Sequence, residues 1–196
     1  MIDRLHAPGF ESSDDTQERQ QTAALESRAT PLAVVDRGRL ERNIAGMAER
    51  IGSLGIALRP HVKTHKSVDI ARLQVAAGAR GITVATLSEA LVFARAGFDD
   101  LFVAYPTWLD APRRAILDQV LATGARVLIG CDNVESADQL VPFAGRIGVL
   151  VEVDSGHHRS GVLPRASDRW WRRLASGAWN CEGPSPFPGT RTRRTA

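Results

Sequence analysis

The stretch from Gly81 to Tyr105 reads GITVATLSEALVFARAGFDDLFVAY, and it holds one complete strand–helix–strand unit. The short apolar runs at its two ends, residues 81–85 and 101–105, are typical of buried strands. Between them, Glu89, Val92 and Ala96 lie in a predicted helix that Gly97 ends. A strand, a helix and a second strand in this order predict a parallel βαβ unit.

The same alternation continues on both sides of this unit. Upstream, the sequence predicts a strand over 56–58 and a helix over 68–77; downstream, it predicts helices over 108–123 and 133–143 and strands over 126–129 and 147–153. The repeat of about 22–25 residues is that of a TIM-type (β/α) barrel, which has eight strands. Five strands are present, so we predict a partial barrel. The alternative is an open doubly wound sheet, which requires a glycine-rich phosphate turn that Pro60-His-Val-Lys63 does not provide.

The region before the barrel pattern divides into two parts. Residues 1–29 are polar and rich in acidic and amide side chains, which predicts a disordered leader. Order is predicted to begin at Thr30-Pro31 with a strand over Leu32–Val35. A helix follows, with one apolar face and an end at Gly52 and Gly55; that face comprises Leu40, Ile44, Met47 and Ile51.

Composition excludes several classes of protein. Hydrophobic content of 43% and charged content of 24% fit a soluble globular domain, and no apolar run is long enough to span a membrane. Seven arginines and two acids stand between Arg165 and Ala196, whereas the other 164 residues are slightly acidic, so we expect no nucleic-acid partner. Two cysteines without metal or redox spacing favour a reducing cytoplasm.

The placement of lysine is unusual. The chain has 23 arginines but only two lysines, and both lie in Arg59-Pro-His-Val-Lys-Thr-His-Lys66, after a predicted strand. A lysine amine forms a Schiff base with a carbonyl, which a guanidinium does not. The run therefore indicates pyridoxal 5′-phosphate (PLP), although two exposed lysines at a strand end explain it equally well.

Other polar residues follow the predicted strands at the edge where barrels hold their catalytic groups. A tight path between glycines is expected to project Arg159 into the barrel mouth. The candidates, in chain order, are His61, Lys63, His65, Thr86, Glu89, Tyr105, Asp132, Asn133, Asp154, His157, His158 and Arg159.

Two segments resemble the family of D-threonine aldolase and eukaryotic-type D-serine dehydratase. They are Leu58-Arg-Pro-His-Val-Lys-Thr-His-Lys-Ser67 and Glu152-Val-Asp-Ser-Gly-His-His-Arg-Ser-Gly161, and the likeness covers about residues 30–165. It implies a PLP enzyme with an alanine-racemase-like barrel. Lys63 matches the family's Schiff-base lysine, and Lys66 is then a structural or phosphate-side neighbour. Arg159 matches the arginine beside the cofactor's phenolic oxygen, whose anionic form it favours.

Roles for the remaining groups stay open. His61 and His65 either shape the cofactor pocket or are structural, and Asp132 and Asp154 serve as well for capping turns as for catalysis. The resemblance implies cleavage or dehydration of a small D-β-hydroxy amino acid, with a divalent metal in a carboxyl-terminal β domain and pairing of subunits into a homodimer. The alternatives are a non-catalytic PLP-carrier barrel and an interaction module with a basic arm.

Measured against this resemblance, we expect the β domain and the last barrel strands to be missing here, and we assign no metal ligands. Residues 166–196 are rich in tryptophan, proline and arginine and are predicted to be disordered. Stepping back one base forces Glu-Leu at Trp179-Asn180, and residues 178–195 can then be re-read as LELRGAFTFPGHSYAPDG, which resembles the family's next strand. We expect a frameshift between about Asp168 and Ala178, and hence a PLP-binding partial barrel over 30–165 that is inactive as it stands.

Overall fold

The computed structural model describes residues 26–163, which fall into two units, one up to Leu40 and one from Glu41 onward. Residues 1–25 of the predicted leader and the whole predicted tail, 166–196, lie outside the described residues.

The first unit contains irregular chain followed by the start of helix α1 (Arg37–Gly52). Asp36 begins this helix, because its Oδ1 accepts a hydrogen bond from Arg39 N (2.6 Å). The predicted strand over Leu32–Val35 is wrong. A strand needs a neighbour to pair with, the described residues offer it none, and its side chains are exposed.

The second unit is a parallel four-stranded sheet in the order β1-β2-β3-β4, with a helix between consecutive strands. The strands are β1 (Ile82–Val84), β2 (Asp100–Val103), β3 (Arg126–Cys131) and β4 (Gly148–Val151). The helices after α1 are α2 (Val68–Ala76), α3 (Leu87–Arg95), α4 (Ala111–Ala122) and α5 (Val134–Leu140); short 3₁₀ turns cover Val62–Thr64 and Val141–Phe143.

Side-chain caps fix where the helices begin. Ser67, Thr86, Asp110 and Asn133 each accept a hydrogen bond from the backbone N–H three residues later. The helix predicted from Trp108 therefore begins at Ala111, after the Asp110 cap and with Pro112 in its first turn.

The strand that precedes the lysines pairs with β1 over a different range from the predicted 56–58. The carbonyls of Leu58 and Pro60 accept hydrogen bonds from Arg80 N (2.9 Å) and Thr83 N (2.8 Å), and His61 forms a single parallel bridge with Thr83. This segment, residues 58–61, is called the lysine strand below. It joins the four-stranded sheet through this one bridge, so β1 to β4 confirm four of the five predicted barrel strands.

The two faces of the sheet differ in packing. Alternate residues of β1 to β3, such as Val84, Val103 and Ile129, are buried against the helices in one apolar core. The opposite face carries Thr83, Phe102, Leu128 and Leu150, of which the two leucines are only half-buried. Within residues 26–163 no further strand closes the sheet, so the architecture is the predicted partial α/β barrel.

A buried ion pair joins the amino-terminal ends of three strands. Arg59 Nη2 donates to Asp100 Oδ1 (2.7 Å), and Arg59 Nη1 donates to the carbonyls of Asp100 (3.1 Å) and Ile82 (3.4 Å). Gly81 makes room for this guanidinium, because a Cβ there would lie 2.5 Å from Arg59 Nη1.

Candidate active site

The carboxyl-terminal edge of the sheet carries the residues singled out from the sequence. Lys63 lies in the 3₁₀ turn directly after the lysine strand, and His61 Nδ1 accepts a hydrogen bond from Lys63 N (3.3 Å). The Lys63 side chain is exposed, and its ammonium has no ion pair or hydrogen bond with any residue in 26–163. A free amine at the mouth of a barrel is available to a ligand.

Lys66, three residues later, is engaged. Its Nζ lies 3.1 Å from Glu89 Oε1, and Glu89 Oε2 accepts a hydrogen bond from Ala85 N (2.8 Å). Burial raises the pKa of Glu89, but the Ala85 N–H and Lys66 outweigh it, and the net pKa is below the usual value. The Glu89 carboxylate therefore joins Lys66 to the end of β1, and the two lysines differ in their contacts with the described residues.

The histidines around Lys63 are held in place by backbone donors. Partial burial lowers the pKa of His61, and the Lys63 cation lowers it further. His61 Nδ1 accepts a backbone N–H, so the proton of the neutral ring is assigned to Nε2. His65 Nδ1 likewise accepts from Ser67 N (3.0 Å), and His65 Nε2 is buried without a partner in the described chain.

Arg159 and Tyr105 meet although they follow different strands. Arg159 Cζ lies 5.7 Å from the centroid of the Tyr105 ring, a cation–π distance. Tyr105 follows β2 and Arg159 follows β4, so the loop after β4 reaches across the end of β3 between them. The structure thus brings these two predicted residues together.

The acids and the cysteine near the edge have structural explanations. Asp132 accepts a hydrogen bond from Asn133 Nδ2 (2.8 Å), and Asn133 caps α5. The Asp154 carboxylate accepts from the backbone N–H of His158 and of Gly156 and bonds the His158 ring, which lowers the pKa of Asp154 to about 2. Burial raises the pKa of Cys131 to about 11, so its thiol is a poor nucleophile.

Glu152 is a site residue that was not among the sequence candidates. Ser160 Oγ donates to Glu152 Oε1 (2.8 Å), while Glu152 Oε2 is buried without a partner in the described residues. The signal was the alternation along β4, which places Glu152 on the same face as Leu150.

Comparison with known proteins fixes the family. The model of the alanine racemase N-terminal domain matches residues 35–184. The chain belongs to this family. It is 45% identical over 143 residues to D-threo-3-hydroxyaspartate dehydratase of Delftia sp. (strain HT23), a match that covers 68% of this chain and 36% of that protein.

Two further relatives support this family assignment. The chain is 39% identical over 137 residues to D-threonine aldolase of Arthrobacter sp., again covering 68% of this chain and 36% of the relative. The crystal structure of D-threonine aldolase from Filomicrobium marinum superimposes with a TM-score of 0.70 at 30% identity, over 76% of this chain and 41% of that one. This alanine racemase-type chain spans little more than a third of the length of the curated relatives it matches.

Residues 26–163 contain neither a metal-binding cluster nor a membrane-spanning helix. No group of three or more His, Cys, Asp or Glu side chains there is placed to hold a metal ion. No helix in that range combines the length and the apolarity needed to cross a bilayer.

Proposed function

We propose that this chain is the cofactor-binding half-barrel of a PLP-dependent lyase that acts on small D-β-hydroxy amino acids. The observation that carries the proposal is the free Lys63 amine at the carboxyl-terminal edge, beside a Lys66 that Glu89 engages. The names of the relatives, hydroxyaspartate dehydratase and D-threonine aldolase, support the substrate class. Dehydration and aldol cleavage are both compatible with these residues.

The residues present fit the cofactor. Lys63 would hold PLP, and Arg159 would stand by its phenolic oxygen and favour the anionic form of that oxygen. His61, neutral near pH 7 because its pKa is lowered, would line the same mouth. When bound, PLP supplies an electron sink that lets a bond at the Cα of an amino acid break.

The chain's own contribution is positioning. Glu89 binds Lys66 at the end of β1, which leaves Lys63 as the amine that reacts. The Tyr105 ring packs against one side of the Arg159 guanidinium. We propose that these 196 residues capture PLP without turning substrate over, since two side chains of the inner face, Leu128 and Leu150, are only half-buried and water reaches them.

The remaining assignments belong to the full-length family member. We propose that it carries a divalent metal in a further β domain, forms a homodimer and works in the cytoplasm, with no nucleic-acid or membrane partner. The free, buried Cys131 is compatible with a reducing compartment.

Reductive trapping tests the cofactor assignment. The protein is mixed with PLP, reduced with borohydride and mapped by peptide mass, with Lys63→Arg and Lys66→Arg as matched variants, because these are the chain's only lysines. We expect one stable adduct, abolished in Lys63→Arg and retained in Lys66→Arg. Equal labelling of the two lysines contradicts the proposal.

A second measurement separates the lyase from a PLP carrier. Full-length protein carrying the same half-barrel is given D-threonine or D-threo-3-hydroxyaspartate. Release of glycine with an aldehyde, or of a keto acid, supports the lyase, whereas release of none of these supports the carrier.

A further inference from the structure

The loop after β4 is closed at its base by backbone hydrogen bonds. Asp154 N donates to Val162 O (2.9 Å) and Val162 N donates to Glu152 O (2.9 Å), so Val153 and Val162 form a parallel bridge. The residues between these contacts, Asp154–Gly161, are called the arginine loop below. Because both ends are tied, the path of the loop depends on what holds its middle.

The Asp154 carboxylate holds the middle of the arginine loop. Its Oδ1 accepts from Gly156 N (2.9 Å) and His158 N (3.0 Å), and its Oδ2 lies 2.8 Å from His158 Nδ1. The Asp154 side chain is 10% exposed, although the His158 ring is largely in solvent. One carboxylate thus collects three contacts from the residues just before Arg159.

The backbone of the arginine loop takes a path that side chains rarely adopt. His158 has φ +56°, a left-handed conformation that costs a non-glycine residue free energy and persists only where its surroundings impose it. Gly161 has φ +103°, and a Cβ there would lie 2.6 Å from Asp154 N. Asp154 supplies the contacts that impose this conformation at His158.

Arg159 follows His158 directly, and its guanidinium lies over Tyr105. We propose that Asp154 is a positioning residue, which fixes the arginine loop and thereby holds Arg159 over the Tyr105 ring. A role toward the cofactor rests on the proposed function, but the placement of Arg159 does not. The low pKa of Asp154, about 2, keeps the carboxylate charged near neutral pH.

The chain's single tyrosine makes the contact measurable. Tyr105 is labelled with ¹³C in its ring, so that its ring signals are the only labelled ones in the NMR spectrum. Arg159→Ala removes the cation, and we expect it to shift these signals more than any other variant does. Asp154→Ala is expected to produce most of that shift, and Asp154→Asn, which keeps an oxygen for the two N–H groups, a smaller part. Ser155→Ala, within the loop but outside its hydrogen bonds, is the matched control and leaves the signals in place.

Two results overturn the proposal. One is an Asp154→Ala spectrum with Tyr105 at its wild-type position while Arg159→Ala moves it, and the other is an Arg159→Ala spectrum that does not move Tyr105 at all. If Asp154→Ala does not fold, as judged by circular dichroism, the Tyr105 signals of Asp154→Asn and Gly161→Ala test the proposal in its place. Gly161→Ala distorts the loop without removing a charge, and it must shift the Tyr105 signals.

The cofactor is then added as a separate readout. With PLP bound to Lys63 and left unreduced, the pH midpoint of the visible absorbance band is expected to move in the same direction in Asp154→Ala and Arg159→Ala. If trapping fails while Tyr105 still responds, the proposed function is wrong and the positioning role stands. If trapping succeeds and Tyr105 is unmoved in Asp154→Ala, the positioning role is wrong and the proposed function stands.

Discussion

The two edges of one parallel sheet use similar charged residues in opposite ways. At the amino-terminal edge, the Arg59 and Asp100 side chains are 10% and 13% exposed, and Arg59 donates three hydrogen bonds. At the carboxyl-terminal edge, Lys63 and Arg159 are exposed, and their charged groups form no ion pair within residues 26–163.

This difference indicates that charges at the amino-terminal edge stabilise the fold, whereas those at the carboxyl-terminal edge are available to a ligand. Buried charges must be paired to be tolerated, and a charge whose partners are all supplied by the fold has little left for a ligand. At the carboxyl-terminal edge the fold supplies position but leaves the amine of Lys63 and one oxygen of Glu152 unpartnered in the described chain. We therefore expect substitutions at the first edge to change stability and those at the second to change ligand chemistry.

The largest effect is expected at the amino-terminal edge. Asp100→Ala leaves the buried Arg59 guanidinium without its carboxylate and should lower the free energy of unfolding by about 3–5 kcal/mol. Urea denaturation measures the loss. Asp118→Ala is the control, because its ion pair with Arg146 is half-exposed and contributes about 0–1 kcal/mol. Equal losses in the two variants would contradict the distinction between the edges.

The second-largest effect is expected at Gly81, where the backbone lies close to the same ion pair. Gly81→Ala places a Cβ 2.5 Å from both Arg59 Nη1 and Asp100 O, and overpacking of this kind should cost about 1–3 kcal/mol. Gly46→Ala lies within α1, where a Cβ meets nothing within 4 Å, and should stabilise the protein by about 0.5–1 kcal/mol. Thermal or urea unfolding of the two variants shows whether their stability changes have opposite signs. If both variants lose stability, the contrast between the crowded and the open glycine is wrong.

At the carboxyl-terminal edge a substitution should change selectivity more than stability. Glu89→Gln keeps an oxygen for Ala85 N and removes the charge that engages Lys66, whose side chain is 65% exposed. We expect a change of about 0–1 kcal/mol in the free energy of unfolding and an increased share of reductive PLP labelling on Lys66. Unchanged labelling shows that Glu89 does not direct the reaction to Lys63.

The smallest effect concerns the pKa of His61. Burial is the larger cause of its lowered pKa and the Lys63 cation the second, so Lys63→Met should raise the pKa without restoring 6.5. NMR titration of the ring measures it, with Lys66→Met as the control that leaves His61 unchanged. Between the folded-state pKa and 6.5 the unfolded chain binds more protons, so the free energy of unfolding rises with pH through this window. A His61→Gln variant should lose that rise.

Local patterns predicted much of the fold. The helices predicted over 68–77, through Glu89 to Ala96 and over 133–143, and the strands β1 to β4, followed from apolar runs bounded by glycine or a capping residue. The strand predicted over Leu32–Val35 failed because strand formation needs a neighbour, which no local pattern reveals. The lysine strand pairs over 58–61 and not over 56–58 because its partner, β1, sets the register.

Some site residues were likewise identified from the sequence, whereas others were identified only from the structure. Lys63, Arg159 and His61 were selected from motif and composition, and the structure places Lys63 and Arg159 at one edge. That Lys66 is paired and Lys63 is not, within the described residues, was visible only from the distance between Lys66 Nζ and Glu89 Oε1. Asp154 was ambiguous in the sequence until its bonds to the arginine loop were visible. Glu152 was missed because the alternation along β4 indicates its face but does not show that one of its carboxylate oxygens is buried.

The sequence by itself determined the order of strands and helices, the family and the lysine motif, because these depend on residues near one another in the chain. Only the tertiary structure decided which charges are paired, which lysine is free and that Arg159 lies over Tyr105. Those outcomes depend on contacts between segments tens of residues apart, such as Arg59 with Asp100, and their energies depend on burial, which is a property of the packed sheet.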